Sequence, residues 1–254
     1  MPTPRALGAG AHYAFFYRAD AVIRATEAFA PATARKYERY LDTVSPFDVT
    51  VPRASVDASL QLVPSPTAPE PRVTVLRGAF EGFERTLREE VGRPTAGDGA
   101  SRWVGDREAV HLSTDTAIIV SAAAPEAVLE SIRMSRGGSN RYRTASPAAA
   151  RLLDAVGDGH DVNGYTHPPT TEAEPPNGVF SGEVARGHRY WFEGATTRST
   201  YTFVFEGSTA PRDQLEAWVT ANDGTGRFSI YENPTVTVDG PVGRIDGRLP
   251  TREV

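Results

Sequence analysis

The stretch Val73-Thr-Val-Leu-Arg-Gly-Ala-Phe80 decides the fold class, because here a valine-rich strand gives way to a helix. In the segment that follows, Glu81–Val91, the apolar residues Phe83, Leu87 and Val91 lie on one helical face. Further strands are predicted around Arg102–Val104, Ala109–Leu112 and Ala117–Ala122. This order predicts an α+β fold with antiparallel sheets and helices packed on one face.

The same plan continues toward the C-terminus. Ser146-Pro147 is typical of a helix start, with a capping hydroxyl before a proline in the first turn. A later group of strands surrounds a helix predicted over Thr209–Ala221, and Phe228–Tyr231 is predicted to be one of those strands. The repeated order of strand, helix and strands predicts tandem βαββ (ferredoxin-like) units.

Two proline-rich stretches, 64–71 and 166–177, are predicted to be linkers, since proline cannot continue a strand ladder. They divide the chain into an N-terminal strand–helix–strand segment over 1–63 and two α+β units over 72–165 and 178–254. Packing of all three as one domain is the alternative.

Composition excludes several classes of function. The 254 residues carry a formal charge of −5, and the arginines are scattered among 32 acidic residues, so nucleic acid is not expected as a partner. The absence of cysteine excludes disulfides, thiolate nucleophiles and iron–sulfur clusters. No apolar run is long enough to span a bilayer, so we expect a soluble chain without membrane insertion, extracytoplasmic if a signal or anchor was removed.

Three segments carry a resemblance of pattern: 73–80, Leu112-Ser-Thr-Asp-Thr-Ala-Ile-Ile-Val-Ser-Ala122 and Ser146-Pro-Ala-Ala-Ala-Arg-Leu-Leu-Asp-Ala-Val-Gly157. The chain resembles proteins of haloarchaea and other high-GC microbes that are exported or lipid-anchored, over about residues 70–250. That group has no assigned activity, so the resemblance implies a fold and no function. This chain departs from the group by lacking an export signal.

One stretch has the composition of a metal site. Asp158, His160, Asp161 and His167 place carboxylates and imidazoles close together, which would suit a divalent cation if the loop curled. The alternative is that Gly157-Asp158-Gly159 simply ends a helix.

Two groups of residues are candidates for binding. Arg133, Arg136, Arg141 and Arg143 form a glycine-rich basic loop that suits a phosphate or an acidic partner, or else complements a helix dipole. In the strand His188–Phe192, Arg189 and Trp191 share one face, which is either a recognition patch or a face covered by other elements.

No phosphate-binding loop or nucleophile elbow occurs, and we expect no cofactor. The sequence therefore favours a non-enzymatic binding or structural protein that acts through an exposed sheet face or the arginine loop, on a protein partner or on itself. The alternatives are a metal-assisted hydrolase at residues 158–167 and a small-ligand carrier with a pocket between sheet and helices.

Overall fold

We describe the fold from a computed structural model, in which residues 13–42, 44–64, 70–97, 99–136 and 146–254 are described. The chain divides into two compact units. The described residues of the first unit lie in 13–23 and 35–136, and those of the second in 24–34 and 146–254.

The first unit is built on an antiparallel sheet. Its strands, in chain order, are β1 (Tyr13–Arg18), β2 (Val56–Val63), β3 (Arg72–Gly78), β4 (Thr95–Gly97), β5 (Ala100–Val104), β6 (Glu108–Leu112) and β7 (Thr116–Ser121). They pair in the order β1-β2-β3-β7-β6-β5-β4, and every pair is antiparallel. The described helices of this unit are α3 (Glu81–Glu90) and α4 (Pro125–Arg136), while α1 (Ala19–Ala25) and α2 (Pro31–Asp42) contribute residues to both units.

One hydrophobic core of this unit lies between α4 and the sheet. Leu129 and Ile132 of α4 are buried against Val73, Ile118 and Val120 of the strands. Burial of each such side chain contributes roughly 1.5–3 kcal/mol. The helix is thereby fixed by its apolar face.

The second unit is a five-stranded antiparallel sheet with two helices. Its strands are β8 (Asp161–Thr166), β9 (Glu183–Glu193), β10 (Thr196–Phe205), β11 (Glu232–Asp239) and β12 (Val242–Pro250), paired in the order β8-β9-β10-β12-β11. The helices are α5 (Pro147–Val156) and α6 (Arg212–Asn222).

These two helices lie on opposite faces of that sheet, because successive residues of β10 point to opposite sides. Val204 packs with Leu152 and Val156 of α5, whereas Phe203 packs with Leu215 and Trp218 of α6. Gly187 lets α5 approach closely, since a Cβ there would lie 2.5 Å from Cγ2 of Val156. The prediction of helices on one face is therefore wrong for this unit.

The prediction of tandem ferredoxin-like βαββ units is also wrong. Four strands, β4 to β7, follow α3 as an antiparallel meander, and β8 to β10 precede α6 as another. Hydrophobic periodicity placed many of the elements, but the partner of each strand depends on hairpin connections that periodicity does not encode. The α+β class stands, with antiparallel sheet as its dominant part.

Candidate functional site

The four residues predicted to bind metal are not gathered into one site. The Nδ1 atom of His160 accepts the backbone N–H of Phe192 at 3.0 Å, and Asp161 lies opposite Tyr190 in the β8–β9 ladder. His167 instead contacts Glu183. Within the described ranges, no group of three or more His, Asp or Glu side chains is arranged to hold a metal ion.

His167 belongs to a buried ionic network. Its Nε2 lies 3.3 Å from Oε1 of Glu183, and its Nδ1 donates to the carbonyl of Pro168 at 2.8 Å. Glu183 is 2% exposed and accepts two hydrogen bonds from Arg186, at 2.8 and 2.6 Å. The hydrogen bond to Glu183 raises the pKa of His167 above its ordinary value, which favours the imidazolium.

Stability should therefore depend on pH through His167. The pKa of His167 is raised in the folded state. Its contribution to the free energy of unfolding is therefore complete below pH 6.5 and is lost as the pH rises through the folded-state pKa. Since the ring is partly exposed, we expect a loss of at most about 1 kcal/mol. Urea unfolding of the wild type and His167→Gln from pH 6 to 9 checks this, and an equal slope in both proteins would contradict it.

The predicted arginine loop is only partly described. Arg133 donates to Glu130 at 2.9 Å, an i,i+3 pair on α4. The side chain of Arg136 and the whole of Arg141 and Arg143 lie outside the described part of the structure.

The structure brings the other two binding candidates together at the end of α5. Trp191 is half-buried, and its ring stacks on His160 with centroids 4.3 Å apart. Arg189 donates to the carbonyls of Val156 and Asp158 at 2.8 and 3.3 Å, so it caps the C-terminus of α5. His160 thus fixes the orientation of Trp191, while Arg189 anchors the adjacent turn.

Strand register extends this arrangement across the sheet. Trp191 on β9 lies opposite Arg198 on β10, which lies opposite Arg248 on β12, which lies opposite Glu232 on β11. The guanidinium of Arg198 lies 5.6 Å from the centroid of the Trp191 ring and pairs with Glu193 at 2.8 Å. We call Arg189, Trp191, Arg198 and Arg248 the Trp–Arg face.

The Trp–Arg face borders an open groove of about 750 Å³. Asp246 lies in its wall and accepts a hydrogen bond from Thr200 at 2.6 Å. Sequence reasoning missed Arg198 and Arg248, which are fifty positions apart in the chain. Only the pairing of β10 with β12 brings these two side chains together. Alternation along β10 does indicate that Arg198 lies on the face of the strand opposite its aromatic residues.

The other face of the same sheet carries a buried polar cluster. His188 stacks on Tyr201 at 3.9 Å, and its Nε2 lies 2.7 Å from Oγ of Ser199, which lies 2.9 Å from the Tyr231 hydroxyl. Burial, and then the charge of Arg227, lower the pKa of His188 to about 3. So weak a base activates a serine poorly, and the pair is suited to packing and hydrogen bonding.

Comparisons with known proteins give a likeness of fold. Crystal forms III, I and IV of TP0453 match with TM-scores of 0.50, 0.52 and 0.51 at 9%, 8% and 9% identity. The matches cover 99–100% of this chain and 94–96% of those chains. At such identity they show the fold alone.

No protein-family model matches the sequence, and no curated protein matches it significantly. Among the described helices, none has both the length and the apolar character needed to cross a membrane.

Proposed function

We propose that this chain is a non-enzymatic binding protein whose Trp–Arg face recognises an acidic segment of a protein partner. The single observation that carries the proposal is the direct cross-strand pairing of Arg198 with Arg248. Like charges placed opposite each other on one face of a sheet are destabilising by a few tenths of a kcal/mol or more. An acidic ligand would offset that repulsion.

The charge of Arg248 supports an anionic partner. Arg248 is exposed, and its cross-strand neighbour is Glu232. Among the described residues, no carboxylate oxygen lies within 4.0 Å of the Arg248 guanidinium, so it has no ion-pair partner there. Arg198 has one exposed partner, Glu193, and surface pairs of this kind exchange readily. Two planar guanidinium groups side by side suit the carboxylates of an acidic segment.

Trp191 supports a protein partner rather than a free ion. Its ring is fixed by His160 behind it and lies beside Arg198, so it offers a rigid apolar surface next to two cations. Trp and Arg are the residues that contribute most often to binding hot spots. The three acidic residues in the wall, Asp158, Glu232 and Asp246, would then select where each carboxylate of the partner can lie.

Fluorescence anisotropy with a labelled hexaglutamate peptide tests the proposal. We expect the double variant Arg198→Gln/Arg248→Gln to weaken binding by roughly tenfold or more, and Trp191→Ala to weaken it by several-fold. Binding should also weaken as salt is added.

Arg252→Gln combined with Arg212→Gln is the matched control, since it removes the same charge from exposed positions of the second unit away from the Trp–Arg face. Equal weakening by this control would mean that net charge alone attracts the peptide, and would overturn the proposal. Wild-type affinity in the Arg198→Gln/Arg248→Gln protein would overturn it as well.

A further inference from the structure

A separate cavity of about 540 Å³ lies between α6 and the sheet face opposite the Trp–Arg face. Trp218 and Asn222 of α6 form one wall, and Asn163, His188 and Tyr201 of the strands form another. Arg227, in the turn that follows α6, closes one side. The cavity is concave and bounded by rigid elements, which are the features of small-molecule sites.

The charge of the cavity is set by Arg227. Nη1 of Arg227 donates to the hydroxyl of Tyr201 at 2.9 Å, and the guanidinium lies 5.7 Å from the centre of that ring. Within the described residues, no carboxylate oxygen lies within 4.0 Å of the Arg227 guanidinium, the distance of an ion pair. None of the residues that line the cavity is acidic. Glu253 borders a neighbouring cavity that Arg227 also touches, but lies beyond that distance.

The second arginine of the cavity, Arg186, does not add free charge. Its Nε and Nη2 atoms donate to the two carboxylate oxygens of Glu183, which balances its charge, and Nη2 also donates to the carbonyl of Gly178 at 2.6 Å. The cavity therefore presents one uncompensated positive charge. One guanidinium matches a monoanion held through two parallel hydrogen bonds, whereas a phosphate dianion would leave one charge unmatched.

The rest of the lining suits a flat ligand. Tyr201 is held between the stacked ring of His188 and the edge of Trp218, whose centroid lies 5.6 Å from that of Tyr201. These aromatic side chains are fixed and cannot collapse into the space. Asn163 adds an amide that makes no side-chain hydrogen bond within the described residues and can bind a polar substituent.

We propose that this cavity binds a small monocarboxylate with a planar body, and that Arg227 is the residue that holds the carboxylate. The ring of such a ligand lies against the edges of Trp218 and Tyr201 that border the cavity. This site is independent of the Trp–Arg face, which lies on the other side of the sheet.

Titration of the full chain with benzoate, followed by ¹H–¹⁵N spectra of the tryptophan indoles, tests the proposal. The chain has three tryptophans, and only Trp218 lines this cavity, so benzoate should shift its signal and leave those of Trp103 and Trp191 in place. Benzamide, the neutral isostere, should bind roughly tenfold or more weakly, because it lacks the charge that Arg227 binds.

Arg227→Gln should lose benzoate binding by a similar factor, whereas Arg227→Lys should retain part of it. Arg212→Gln, at an exposed position of α6, should bind as the wild type does. Equal binding of benzamide, unchanged affinity in Arg227→Gln, or tighter binding of inorganic phosphate than of benzoate would overturn the proposal. Because these outcomes do not involve hexaglutamate, failure here leaves the test of the Trp–Arg face unaffected.

Discussion

Replacing Glu183 by leucine should lower the free energy of unfolding by about 3–5 kcal/mol, because it leaves the Arg186 guanidinium partly buried without its carboxylate. The side chains of Arg186 and Glu183 are 24% and 2% exposed, and two hydrogen bonds join them. Urea unfolding at pH 7 measures the change.

Two further variants separate this charge effect from a general loss of packing. Glu216→Leu removes an exposed partner of Arg212 and should change the free energy of unfolding by less than about 1 kcal/mol. Glu183→Leu/Arg186→Met should recover much of the lost stability, since it removes both charges. A single variant within 1 kcal/mol of the wild type, or a double variant no more stable than the single, would contradict this account.

Acid should destabilise the protein through His188. Its pKa is lowered to about 3 by burial, whereas in the unfolded chain it is near 6.5. The contribution of His188 to the free energy of unfolding is therefore complete above pH 6.5. It is lost as the pH falls toward 3, because the unfolded chain takes up the proton first. The expected slope of the free energy of unfolding is about 1.4 kcal/mol per pH unit, or on the order of 5 kcal/mol over the window.

The groups that face His188 explain why it resists protonation. Tyr190 and Tyr201 pack on its ring, Ser199 bonds its Nε2, and Arg227 adds a positive charge nearby. Thermal unfolding of the wild type and His188→Gln between pH 3 and 7 measures the difference in slope. His167→Gln is the control, since its effect falls on the alkaline side. An acid slope in His188→Gln as steep as in the wild type would contradict the assignment.

Local features were predictable where the chemistry is local. The helix expected at Ser146-Pro147 begins at Pro147, and Oγ of Ser146 accepts the backbone N–H of Ala149 at 3.2 Å. The alternation in β10 also holds, since Tyr201, Phe203 and Phe205 are buried together in one core cluster. Capping and period-two patterning each depend on residues adjacent in the chain.

Features that depend on distant partners were not predictable. Phe228–Tyr231, expected to be a strand, is a turn in which Tyr231 N–H donates to the carbonyl of Phe228 at 2.9 Å. Its aromatic residues are buried because Phe228 packs against Trp218 and Tyr231 packs against Phe228, so their enrichment indicated burial rather than extended backbone. The Arg198–Arg248 pair likewise required the register of β10 with β12.

The alternation of β10 also limits which insertions and deletions the protein can accept. Adding or removing one residue in this strand would reverse the faces of the residues on one side of the change. It would turn Arg198 into the aromatic core or Phe203 toward α5, and at least one proposed site would be lost. A change of two residues in the β9–β10 hairpin at Gly194 would preserve the assignment of every side chain to its face. Natural length variation should therefore occur in this hairpin loop and be absent from the strand itself.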